Sequence, residues 1–215
     1  MSTPLTIDFV SDVVCPWCAI GLKSLETALD KIGADAQVEM FFQPFELNPG
    51  MGPEGQDIGE HLHEKYGSTP EQQSQAREAI RARGAALGFE FNMAGRDRIY
   101  NTFDAHRLLH WAGENGRQKE LKHALLKAYF TDGKDVSDHQ VLIEAAAAVG
   151  LDADIAREVL DTKRYEDEVR EREQFFARHG INAVPSVIIN QRHLISGGQP
   201  PEVFERALRE IMANG

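Results

Sequence analysis

The chain has 215 residues, with 34 acidic side chains against 23 basic ones and a formal net charge of −11. That length suits one large domain or two small ones, and 42% hydrophobic residues with 18 glycines suffice to bury a core, which excludes wholesale disorder. The acidic excess repels phosphate backbones and anionic lipid, so no nucleic-acid partner and no membrane partner is expected.

Met1 to Val10 has no basic region, no long apolar run and no small-residue cleavage site, and so does not read as a secretory signal. The longest apolar stretches, Ala145 to Val149 and Val184 to Ile189 (broken by Ser186), fall far short of the roughly 20 residues of a membrane span. A cytoplasmic protein is expected.

Leu5-Thr6-Ile7-Asp8-Phe9-Val10 alternates apolar and polar side chains and predicts a strand broken by Ser11 and Asp12. Ile20, Leu22, Leu25, Leu29 and Ile32 then mark one face of a helix stopping at Gly33. Between them stand the two cysteines of the sequence, in Cys15-Pro16-Trp17-Cys18. A structural zinc site needs four ligands. His61 with His63, or His106 with His110, would have to complete it, and neither pair has the usual local setting, so no metal is expected. A structural disulfide closing so short a loop would stabilise little. The reading that remains is a redox-active dithiol.

Pro16 presets the φ of a first helical residue, which places Cys15 at or near the N-cap and Cys18 inside the first turn. The free N–H groups and the dipole of that helix end favour a thiolate at Cys15, lowering its pKa. Cys15 is therefore expected to be the solvent-reachable nucleophile and Cys18 the shielded resolving thiol. Trp17 suits either a substrate platform or packing against the helical block. Asp12 reads first as a turn former, with proton transfer from Cys18 or repulsion of a Cys15 thiolate as the chemical alternatives.

Val38 to Phe45 predicts a second strand, ending in the Leu47-Asn48-Pro49-Gly50 turn. From Gly50 to His179 no strand is expected. Helical patterns run instead over 57–66, 70–87, 102–114, 117–130, 137–149, 153–160 and 164–179, with Glu71 to Arg83 as a solvated helix face. Ser186 to Ile189 and His193 to Ile195 flank an Asn190-Gln191-Arg192 turn as a hairpin, and 202–212 forms the last helix. This order is β-α-β plus β-β-α, an α/β thioredoxin fold, with a large all-helical insertion. Residues 1–49 and 180–215 form the thioredoxin-like domain and 50–179 the inserted helical domain.

Several motifs carry a resemblance across nearly the whole chain. They are Ser11-Asp12-Val13-Val14-Cys15-Pro16-Trp17-Cys18 with Ile20-Gly21, then Pro44-Phe45-Glu46-Leu47-Asn48-Pro49, and Asn101-Thr102-Phe103-Asp104-Ala105-His106-Arg107-Leu108. Gly180-Ile181-Asn182-Ala183-Val184-Pro185-Ser186 and Ile195-Ser196-Gly197-Gly198-Gln199-Pro200 complete the set. On these the sequence resembles the DsbA family of thiol-disulfide oxidoreductases, in its FrnE-like branch. The resemblance implies a cis Pro185 beside the dithiol, with the Val184 backbone free to pair with a bound substrate strand. It also brings the His106 segment against the dithiol, where Pro16, Trp17, Val184, Pro185 and His106 would bind substrate. The implied partners are thiols and disulfides of proteins or small molecules. No cofactor is implied beyond the cysteine pair, with glutathione as a candidate co-substrate. The alternative is a glutathione-dependent transferase or isomerase of the kappa or 2-hydroxychromene-2-carboxylate isomerase type, whose nucleophile position usually carries Ser with no second cysteine.

Overall fold

The computed structural model describes residues 3–214. Strand β1 (Thr3–Ser11) leads into helix α1 (Pro16–Ile32), which returns the chain to β2 (Ala36–Pro44), parallel to β1 with Leu5 opposite Val38 and Phe9 opposite Phe42. A parallel pair needs such a crossover. After the helical segment, β5 (Ser186–Ile189) pairs antiparallel with β1, and β6 (His193–Ser196) with β5, so the sheet order is β2-β1-β5-β6. Helix α9 (Pro201–Asn214) then packs on α1.

Side-chain alternation divides the sheet into two faces. Leu5, Ile7 and Phe9 of β1, with Val187 and Ile189 of β5, are buried in one core with Leu22 and Leu25 of α1 and Phe204 and Leu208 of α9. Thr6 and Asp8 point to the other face.

Between β2 and β5 lie α2 (Ile58–Tyr66), α3 (Pro70–Ala86), α4 (Phe103–Glu114), α5 (Gln118–Phe130), α6 (His139–Ala148), α7 (Ala153–Asp161) and α8 (Glu166–Arg178). Their boundaries lie within about two residues of the expected ones, as capping signals allow. One feature differs from expectation. Gln56–Asp57 (β3) and Arg98–Ile99 (β4) form a small antiparallel ladder where no strand was expected, because two residues are too few to show alternation. Helix α8, assigned by sequence to the insertion, packs on β2, and its Phe176 clusters with Val10 and Ile181 on the second sheet face.

The insertion is not a separate apolar body. One hydrophobic cluster runs from Leu5 and Ile20 through Leu108, Leu121 and Tyr129 to Leu142 and Leu160. Within it the buried Arg107 of α4 donates to the carbonyls of Val159, Thr162 and Arg164, satisfying the end of α7 that no further helical turn could. Among the described residues no helix is long and apolar enough to cross a membrane.

Candidate active site

Cys15 is the N-cap of α1, with extended backbone (φ −90°, ψ 112°) and Pro16 in the first turn. Its carbonyl accepts from the N–H of Cys18 at 3.0 Å and of Ala19 at 3.3 Å, which brings the chain into the helix within one turn. The first turn of α1 holds no acidic residue, so nothing there cancels the partial positive charge of the helix end. Cys15 Sγ lies 3.8 Å from the Val184 carbonyl, and the Val184–Pro185 bond is cis. Gly197 N–H donates to Pro185 O at 2.8 Å, tying the loop after β6 to the Pro185 loop.

Two glycines allow these loops to close on α1. A Cβ on Gly21 would stand 3.0 Å from Pro185 Cγ, and one on Gly198 would stand 2.9 Å from the Trp17 carbonyl. Backbone approach that close admits only glycine without a shift.

Cys18 is fully buried. Burial pushes its thiol well above the usual range, Cys15 beside it adds to the rise, and Lys122 and the Asp12 backbone oppose it weakly. Cys18 therefore holds its proton at neutral pH. Cys15 is only 4% exposed, which corrects the expectation of an openly solvent-reachable thiol. The helix-end position does not bring it to the surface, and the Val184 carbonyl lies against the sulfur.

Beneath the dithiol lies a buried polar cluster. Asp12, expected first as a turn former, is fully buried and accepts the Leu47 N–H at 2.7 Å through Oδ2. His106 Nε2 stands 3.5 Å from Asp12 Oδ1, but its proton goes to the Phe45 carbonyl at 3.1 Å, so His106 attracts that oxygen without a hydrogen bond. Asp12 Oδ1 has no hydrogen-bond donor among the described residues. Burial pushes the Asp12 carboxyl up, yet His106, Leu47 N–H and Lys122 together hold it below its ordinary value. Lys122 of α5 is also fully buried, and burial lowers its pKa against the pull of Cys18, Asp12 and Cys15.

The chain matches the family model for the DSBA-like thioredoxin domain over residues 6–209. It belongs to that family. It is similar to the probable DsbA oxidoreductase SCO1869 from Streptomyces coelicolor, with 37% identity, a TM-score of 0.90, and coverage of 96% of this chain and 89% of that one. The Bacillus subtilis (strain 168) protein YwbO is 29% identical over 205 residues, 95% of this chain and 96% of YwbO. The cytosolic disulfide reductase DsbM from Pseudomonas aeruginosa, solved with GSH, shares the fold at a TM-score of 0.68 and 17% identity, covering 97% of this chain and 99% of its own.

In this DSBA-like domain the other expected site residues divide between rim and floor. Pro16 and Val184 are half-buried and Pro185 is buried against α1. Trp17 is 36% exposed, on the rim. His106 lies at 3% exposure in the floor cluster, not on the open groove. Three residues escaped sequence reasoning. Arg83 of α3, taken as part of a solvated face, lays its guanidinium 5.3 Å over the Trp17 ring and donates to Gly198 O at 2.9 Å. The signal was the sparse stripe Gln73, Ile80 and Gly84, the buried positions of α3. Lys122 reads as an ordinary surface lysine until its spacing to Leu125, Leu126 and Tyr129 is counted, which puts it on the apolar face. Tyr66, at the end of α2, is 62% exposed, and its phenol is pushed up by burial first and by the charge of Cys15 second. No sequence signal marks it.

Proposed function

We propose that this DSBA-like domain is a thiol-disulfide oxidoreductase in which Cys15 is the exchanging thiol and Cys18 the resolving one. The observation that carries the reading is the asymmetry of the pair: Cys15 caps the α1 N-terminus beside the Val184 carbonyl, whereas Cys18 is sealed beneath it with its proton held on.

In the reducing direction the Cys15 thiolate attacks one sulfur of a substrate disulfide. A Cys15–substrate disulfide forms and the second substrate sulfur leaves as a thiolate. Cys18 then attacks the Cys15 sulfur, its proton passing to the departing substrate thiolate, and the enzyme ends as the Cys15–Cys18 disulfide with the substrate reduced by two electrons. The oxidising direction reverses each step. Trp17, Pro16, Val184 and Pro185 form the substrate surface, and the Val184 backbone offers strand-like pairing to a peptide. His106 acts from below, by helping to keep Asp12 ionised.

Protein or small-molecule thiols and disulfides are the proposed partners, and glutathione is a proposed co-substrate, in keeping with the glutathione-bound DsbM neighbour. That neighbour's cytosolic setting supports a cytoplasmic location. A glutathione transferase is the weaker reading, because it has no use for a second buried thiol.

Cys18→Ser is expected to accumulate mixed disulfides, seen as mass adducts on Cys15, and Cys15→Ser to abolish insulin disulfide reduction. Substantial reduction by Cys15→Ser defeats the mechanism. Robust conjugation of glutathione to an aromatic electrophile, surviving Cys18→Ser and without disulfide reduction, favours the transferase.

A further inference from the structure

Half of the large exposed hydrophobic side chains among the described residues lie together. Phe41, Phe175 and Leu194, at 39%, 41% and 52% exposure, line one groove, whereas Trp17, Tyr66 and Ile155 lie outside it. This groove lies on the second sheet face, between α8 and strands β2, β1, β5 and β6, with a volume of about 610 Å³. That falls in the size range of small-molecule sites. Its floor at Thr6 and Asp8 is three to five residues back along β1 from Ser11, on the order of 10 to 17 Å from the dithiol end.

The polar lining of the groove is ordered and cationic. Arg172 on α8 donates through Nε to Gln43 Oε1 at 3.0 Å, and Gln43 in turn donates to Asp8 Oδ1 at 2.5 Å. The guanidinium also stacks 5.6 and 5.3 Å over the Phe175 and Phe176 rings. Held on these sides, Arg172 makes no ion pair among the described residues, and neither does Arg192 on the hairpin across the groove. Asp8 is the single carboxylate of the lining, and Gln43 occupies it. His179 completes the rim. Two unpaired arginines beside aromatic walls, on a chain of net charge −11, form a local reversal of charge. Residues 172, 175, 176 and 179 share one helical stripe, so a single face of α8 supplies both the cation and its apolar setting.

We propose that this groove is a second ligand site, separate from the dithiol, for a small aromatic carboxylate: the ring between Phe41, Phe175 and Leu194, the carboxylate on Arg172 and Arg192. A planar guanidinium matches a carboxylate in two parallel hydrogen bonds, and fixing it beforehand lowers the entropy lost on binding.

The test uses 3-phenylpropionate with its neutral and cationic counterparts, 3-phenylpropanol and 3-phenylpropylamine, titrated into the full chain and followed by amide NMR shifts. The acid is expected to shift Phe175, Ile188 and Leu194 saturably and to bind about tenfold tighter than the alcohol, with the amine weaker still. Arg192→Gln should weaken the acid but not the alcohol, and Leu194→Glu should abolish both. Lys119→Gln, in the neighbouring groove under the β2 edge that Arg172 also borders, should change nothing. Equal affinity for acid and alcohol, shifts gathered at another surface, or no saturable shift overturns the proposal. So does a dimer in sedimentation that Leu194→Glu dissociates, because the groove would then belong to a second copy.

Discussion

An ammonium group enters a protein interior only where neighbouring charge offsets the lost hydration, and near Lys122 the Asp12 carboxylate supplies such charge, with the Cys15 sulfur adding to it as a thiolate. The same arrangement leaves Asp12 dependent on Lys122 and His106, since its Oδ1 has no donor. Removing either charge takes from the other part of what offsets its burial. Lys122→Met takes away one of several charges that offset the burial of the Asp12 carboxyl and is therefore expected to destabilise the fold by about 1 kcal/mol. With Asp12→Asn added, the loss should be smaller than the two single losses combined, by about 1 kcal/mol or more. Urea unfolding of the wild type, both single variants and the double variant measures this directly, and simple additivity would show that the two groups do not interact. At this scale the dithiol itself was legible from Cys15-Pro16-Trp17-Cys18 and its place between a strand and a helix. The floor was not, because a buried lysine and a buried aspartate look like surface residues until the fold brings them under the same helix end.

Among the elements, α1 does two tasks at once: its N-terminus presents Cys15, and its outer side is tied to the insertion. Glu26 of α1 accepts from His123 at 2.7 Å and pairs with Lys119 at 3.1 Å, both on α5. Partial burial raises the Glu26 carboxyl, but His123 and Lys119 outweigh this and hold it at about 2. That folded value lies below the ordinary 4.5, so the contribution to stability is whole above pH 4.5 and is lost as pH falls toward 2. Lys119 is half exposed and the pair is screened by solvent, so the contribution is about 1 kcal/mol, not the full value of the shift. Glu26→Gln should lose that amount at pH 7, and the gap between variant and wild type should close as thermal melts are taken from pH 5 down to pH 2.5. A gap independent of pH would remove the ion pair as its cause. Most elements could be read from periodicity and caps, as with α7, where Asp152 accepts two N–H groups of the first turn. What periodicity could not show is partnership: that β3 and β4 pair, and that α8, so rich in charge, lies along β2 with Phe176 turned to the sheet.

At the level of the whole molecule, the question is whether the thioredoxin-like part and the helical segment unfold as one body. Sequence order separates them at residues 50 and 179, and a linear reading has no means to see the core between them. The packing is continuous: Leu5, Ile20, Leu108, Leu121 and Tyr129 belong to a single cluster, and Arg83 carries α3 across to Trp17 and Gly198. Exposing either part alone would strip apolar surface from the other, which couples their stabilities. The two tryptophans of the sequence sit one on each side of that seam, Trp17 on α1 beside the dithiol and Trp111 buried in α4. Trp111→Phe leaves a reporter on the dithiol side and Trp17→Phe a reporter in the helical segment. Within each variant, urea unfolding followed by tryptophan fluorescence is expected to coincide in midpoint and slope with unfolding followed by far-ultraviolet circular dichroism. If Trp17 reported a transition at lower urea than the circular dichroism of its own variant, the dithiol end would be opening independently, and the shared core would not be what holds Cys15 against Val184.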